Sequence, residues 1–240
     1  MCTPALKLVF AVAALLPLSL AHSVHAQQRH PLDEPHIAAK LQLGLGGSVD
    51  YTVSGNGGSV TRNSDLGVSF GVAGEYVYPL HRYFALGGQL GFLTWQSSAG
   101  SDSEGGRNFL FDLAVVPKGK YAMLDDTLEL YLGLPIGVGL DVLNEVNARN
   151  TLVLPAIGGA AGSEVEGGAA LGFVIGLLAG ARYQLTDSVG LLAELGYMYR
   201  TFGHSVTSSV GAGSGLVSLS RDTDVSVSFG QFALNLGAYF

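Results

Sequence analysis

From about residue 38 onward, large apolar residues recur at every second position of the chain. The cleanest run, Leu128 to Val142, sets Leu128, Leu130, Leu132, Leu134, Ile136, Val138 and Leu140 against Glu129, Tyr131, Gly133, Gly137, Gly139 and Asp141. A period of two places these sets on opposite faces of one strand. Seven more runs behave alike: about 38–53, 65–80, 83–95, 108–122, 169–185, 189–200 and a last one ending at Phe240. In that last run Phe232, Leu234, Leu236 and Phe240 share a face. Val225, Val227 and Phe229 lie on the other parity, which predicts a bulge near Gly230.

The connections alternate in length. Segments 54–64, 96–107, 143–168 and 201–224 are long, whereas His81-Arg82, 123–127 and 186–188 are short. Eight strands joined in this way predict an all-β, antiparallel up-and-down barrel, with long loops at one end and tight turns at the other.

The faces opposite the bulky residues carry Gly, Ala, Ser and charges. Eight strands enclose an interior that side chains just fill. The small and charged faces are therefore expected inside, and the bulky faces outside, toward lipid. The aromatics sort to match. Tyr76, Tyr78, Phe84, Tyr121, Tyr183 and Phe240 fall near the turn ends. Tyr51, Phe92, Phe109, Phe111, Phe173, Tyr197 and Tyr199 fall near the loop ends, with aliphatic residues between the two groups. Two aromatic belts around an aliphatic band are the pattern of a transmembrane β-barrel.

Charges of both signs fall on the inward faces: Lys40, Lys118, Lys120, Arg182 and Arg200 with Asp50, Glu75, Asp112, Glu129, Asp141 and Glu194. An unpaired charge in a narrow lumen is costly, so these are expected to pair. Register across the short turns predicts Lys118 or Lys120 with Glu129 and Arg182 close to Glu194; Lys40 and Glu75 fall on neighbouring strands toward the same end. The expectation is a static polar plug; the alternative is a switchable gate with a small, rare conductance.

Composition narrows the class. Lys7, the apolar run Leu8 to Leu20 and small residues at Val24 and Ala26 read as a signal peptide over 1–26, cleaved after Ala26 or, earlier, after Ala21. The run contains Pro17 and falls short of the roughly 20 residues a membrane-spanning helix needs. Residues 27–36 read as a short periplasmic tail and 37–240 as the barrel domain. The single cysteine, Cys2, precedes the apolar run, so the mature chain is expected to hold no disulfide and no cysteine-rich metal site. Only 13% of residues are charged and 35 are glycine. A net charge of −7 without a basic patch argues against nucleic acid as a partner.

The signal, the two-fold alternation, the loop asymmetry and the terminal Phe240 together resemble the eight-stranded bacterial outer membrane β-barrels, the group of the outer membrane protein A transmembrane domain and the outer membrane proteins X and W. The resemblance implies Sec export, residence in a Gram-negative-type outer membrane and contact with its lipid. It implies insertion by the barrel assembly machinery with periplasmic chaperones, the strand bearing Phe232, Leu234, Leu236 and Phe240 serving as the assembly signal. No cofactor or metal is implied. Some eight-stranded barrels modify lipid A with a His, a Ser and an acid. Here His204-Ser205 alone sits at an outer strand end, and adjacent residues on a strand point to opposite faces. No catalytic site is expected, and His204 reads as a solvated loop residue.

The remaining signals are weak. His81-Arg82 reads as a turn anchor, no histidine pair has metal-ligand spacing, and Gly55-Asn56-Gly57-Gly58 lacks the Lys-Ser/Thr of a phosphate loop. Trp95 reads as an interfacial or loop-packing residue. Long loops are the usual place for function. Among them Leu152, Val153, Leu154 and Ile157 form the most apolar stretch available to a hydrophobic ligand. The expected role is structural or surface-interacting, through the loops. The alternatives are a small porin or path for hydrophobic solutes and, behind it, a lipid A-modifying enzyme.

Overall fold

The described residues of this computed structural model are 34–55, 58–96, 107–124, 127–142, 164–165, 168–211 and 218–240. The expected signal peptide, most of the expected tail and the apolar stretch 152–157 lie outside them.

Eleven strands follow one another among these residues. They are β1 (His36–Gly55), β2 (Gly58–Asp65), β3 (Ser69–His81), β4 (Phe84–Trp95), β5 (Asn108–Met123), β6 (Leu128–Gly133), β7 (Ile136–Val142), β8 (Glu164–Val165), β9 (Ala169–Gln184), β10 (Gly190–Gly211) and β11 (Ser218–Tyr239). Eight antiparallel staves close a ring in the order β1, β3, β4, β5, β6 with β7, β9, β10 and β11, the last pairing back onto β1. Sequential neighbours pair with sequential neighbours, which is the up-and-down topology. Closure removes the unpaired edges that an open sheet would expose.

One expected strand is broken. Pro135 has no amide hydrogen to give the ladder, so the run from Leu128 to Val142 divides into β6 and β7. The wall continues around the break. Leu134 N donates to Pro117 O at 3.0 Å, and Gly176 N donates to Pro135 O at 2.9 Å.

Two segments expected as loops are largely paired strand. β1 reaches Gly55 and returns as β2, with pairs from Ser48–Asp65 to Gly55–Gly58. β10 and β11 pair without interruption from Gly190–Tyr239 to Gly211–Ser218. Segments 54–64 and 201–224 are polar, but their Val, Thr and Ser residues are compatible with strand, and polarity hid them. A sheet of β2, β1, β11 and β10 therefore extends past the loop-end limits of β4 and β5.

The parity change also sits elsewhere than expected. β11 runs through Gly230, opposite Tyr199, with no shift. The extra residue lies in β1, where Leu45 pairs with Phe232 and Ser48 with Gly230. Gly46 and Gly47 occupy it with φ of 59° and 114°, a region open to glycine but strained for other residues. A Cβ on Gly47 would meet the Gly230 carbonyl oxygen at 2.0 Å. The bulge turns β1 over. Val49, Tyr51 and, just after β2, Leu66 are buried, where the strict alternation predicted outward positions. Asp50, expected inside, lies outside and accepts a hydrogen bond of 2.7 Å from Asn63 Nδ2.

Elsewhere the bulky faces point outward. Leu41, Leu90, Leu132, Leu171 and Leu195 are 48–75% exposed on the barrel exterior. Tyr76, Tyr78, Phe84, Tyr121, Tyr183 and Phe240 are exposed toward the turn end, and Phe109, Phe173, Tyr197 and Tyr199 toward the loop end. Phe92 and Phe111 are half-buried against one another, with centroids 5.0 Å apart. An exterior of this composition suits acyl chains, since water would meet a continuous apolar surface.

Candidate functional site

The lumen has two halves of different chemistry. At the turn end, polar side chains from inward positions of β1, β3, β4, β5, β6, β9, β10 and β11 converge. Glu194 is at their centre. Its carboxylate accepts from Lys40 Nζ at 2.8 and 3.0 Å, from the Tyr131 hydroxyl at 2.6 Å and from Asn235 Nδ2 at 2.8 Å. Lys40 also pairs with Glu75, and Lys118 reaches Glu75 at 2.7 Å and Glu194 at 3.7 Å. Lys118 Nζ sits 4.5 Å from the centroid of the Tyr131 ring, within cation–π range. A second group lies closer to the turns. Glu129 takes Lys120 at 3.4 Å and the Nε of Arg182 at 2.9 Å, and Arg182 also contacts His36. Every charge named here is buried. Opposite charges at these distances offset the cost of removing each from water.

Toward the loop end the lumen turns apolar. Val49, Tyr51, Leu66, Leu93, Trp95, Leu110, Ala170, Phe202, Val225, Val227 and Phe229 form one buried cluster. Trp95 and Phe229 have centroids 5.0 Å apart, and Phe202 and Phe229 6.0 Å. Two polar groups are set into this plug. Asp141 accepts from Trp95 Nε1 at 3.0 Å and lies 3.2 Å from His204 Nε2. Asp112 Oδ2 accepts from Arg200 Nε at 3.0 Å and Nη2 at 2.8 Å, at the border with the polar half.

The cavity between the halves is about 20 Å³, room for a single water molecule. On either side of this cavity the described interior is packed with buried side chains, as the narrow circumference of eight staves requires.

The structure brings Lys40, Glu75, Lys118 and Glu194 together, groups Lys120 with Glu129 and Arg182, and places Asp112 on Arg200. Arg182 meets Glu129 across β6 and β9 rather than Glu194, because Arg182 lies directly opposite Glu129 in the ladder. The outward face of β11 carries Phe232, Leu236 and Phe240, exposed, with Leu234 half-buried. Phe240 exchanges backbone hydrogen bonds of 2.8 and 3.1 Å with Ile37.

Three residues behave differently from their sequence reading. Trp95 lies fully inside the barrel rather than at an interface. His204 is buried on Asp141 rather than solvated in a loop. Tyr51 packs in the plug and not in an aromatic belt. Parity carried the signal in the first two cases: Trp95 continues the inward series Gln89, Gly91, Leu93, and His204 continues Glu194, Arg200, Phe202. Among the described residues no cluster of His, Cys, Asp and Glu could hold a metal ion.

No protein-family model and no curated protein matches the chain. Among solved structures it is similar to Neisserial surface protein A, with 13% identity over 81% of this chain and 96% of that one at a TM-score of 0.38. It is similar to outer membrane protein AlkL, solved in lipid bilayers, with 17% identity over 92% and 96% at a TM-score of 0.39. It is also similar to Ail of Yersinia pestis, solved with the heparin analogue sucrose octasulfate, with 11% identity over 86% and 99% at a TM-score of 0.34. The assignment of architecture stands on the chain's own geometry: an all-β, eight-stave antiparallel barrel with an apolar exterior and a filled interior, built to span a membrane.

Proposed function

We propose that the chain is a bacterial outer membrane barrel that conducts nothing in bulk and acts by contact at its loop end. One observation carries this reading. The lumen is filled twice over, by paired charges at the turn end and by an aromatic plug at the loop end, with room between them for one water. The extended sheet of β2, β1, β11 and β10 supports the second half of the proposal. It carries rows of Thr and Ser, with Thr52 bonded to Thr61 at 3.0 Å and Thr201 to Ser228 at 2.9 Å, rather than an apolar surface. Among the described residues β2 pairs with β1 alone.

Purified protein in planar lipid bilayers tests the closed lumen. Membranes holding many copies should stay at baseline current, and a large steady conductance would refute the proposal. Export is part of the same reading. Residues 1–26 act as a signal peptide, and the barrel assembly machinery recognises the strand that carries Phe232, Leu234, Leu236 and Phe240. Mass spectrometry of protein from outer membranes should then find Gln27 at the N-terminus. Catalysis has no place in this reading, because the one histidine near an outer strand end is occupied by Asp141 inside the plug.

A further inference from the structure

The small cavity at mid-barrel lies between two networks. Below it lies the group on Glu194, and above it the pair of Arg200 with Asp112. Its polar lining comes from Gln42, Gln89, Arg200, Gln231 and Asn235. Three of these are held in place by other bonds, Gln89 by accepting from Lys40 Nζ at 3.4 Å. Gln231 crosses β1 to donate to Ser69 Oγ at 2.9 Å, passing over Gly44, where a Cβ would lie 2.2 Å from its side-chain oxygen. Arg200 gives Nε and Nη2 to Asp112. Asn235 is only half used. It is 1% exposed and gives Nδ2 to Glu194, but its Oδ1 is buried with no hydrogen-bond partner among the described residues.

A buried amide oxygen left without a donor costs about 1–3 kcal/mol, and a polar cavity of this size accommodates one water. We propose that the cavity is a binding site for a single, long-lived water molecule that donates to Asn235 Oδ1 and accepts from the Arg200 side of the cavity. That water joins Lys40, Glu194 and Asn235 to Arg200 and Asp112 as one hydrogen-bonded chain, which stops beneath the Phe202 and Phe229 rings. The site is independent of what the loops bind.

Two measurements test it. In 15N-labelled protein in micelles, the Asn235 side-chain amide should show the cross-relaxation peak of a slowly exchanging water. Ala233→Leu, which fills the cavity from β11, should abolish that peak while circular dichroism stays that of a barrel. A resolved Asn235 amide with no such peak, or a peak unchanged in Ala233→Leu, would overturn the proposal. Should Ala233→Leu not fold, a high-resolution crystal structure of the unaltered protein decides. Density within hydrogen-bond distance of Asn235 Oδ1 supports the site, and an empty cavity, or the Gln42 amide turned to donate to that oxygen, excludes it.

Discussion

The two halves of the lumen share the same eight staves and both exclude water, but they do so by opposite physics. At the turn end Lys40, Lys118, Lys120 and Arg182 face Glu75, Glu129 and Glu194, and each contact depends on distance and direction. At the loop end Trp95, Phe202 and Phe229 pack with Leu and Val, and their attraction is non-directional. A charged filling leaves an uncompensated ion behind when one member is lost, whereas an apolar filling leaves a void. The first tolerates few exchanges, and the second accepts any residue of similar volume.

The largest expected effect breaks the charged half at its centre. Glu194→Ala removes the acceptor shared by Lys40, Tyr131 and Asn235, and should lower unfolding stability by about 3–5 kcal/mol, read by denaturant titration in micelles or vesicles. Phe229→Ala opens a hole in the apolar half and should cost about 3 kcal/mol in the same assay. Conservative exchanges sharpen the contrast. Phe229→Leu should cost less than about 1.5 kcal/mol. Glu194→Gln, nearly the same shape, should cost more than that because Lys40 and Lys118 are left to share Glu75 as their one carboxylate. The reverse order would contradict the division into directional and non-directional halves.

Asp141→Asn probes the polar insert in the plug. It weakens the bonds to Trp95 and His204 and should cost about 1–3 kcal/mol. Trp95 is the only tryptophan, so its emission should be blue-shifted in the unaltered protein and move to the red in the variant. Gly47→Ala forces a side chain into a left-handed conformation against the Gly230 carbonyl and should cost about 1–3 kcal/mol. Asp50→Ala, on the outside of the same strand, should stay within about 0.5 kcal/mol of the unaltered protein.

The wall was readable from sequence because lipid demands a strict period of two, and Leu128 to Leu140 or Leu191 to Tyr199 obey it. The inward side was read only in part. Glycine and charge identify it toward the turn end, but the plug is as greasy as the exterior, so hydrophobicity stops distinguishing the faces there. Val225, Val227 and Phe229 mark that change of composition in β11, where the strand geometry continues unbroken. The geometric change lies instead in the pair Gly46-Gly47, where the opposite stave advances by two residues against three in β1. Pro135 likewise marked the break between β6 and β7, hidden by the regular leucines around it. Which acid meets Arg182 was beyond sequence reasoning, since a one-rung difference in register selects Glu129 over Glu194.

The seam that completes the cylinder joins Ile37 to Phe240, two residues separated by nearly the whole barrel sequence. Contacts so distant in the chain are slow to form, and until this one exists the first and last staves each present a raw row of amides and carbonyls. Trimming a stave from either side would therefore not yield a slimmer cylinder. It would yield a curled sheet with two adhesive margins, poorly suited to hydrocarbon and prone to stick to its own copies.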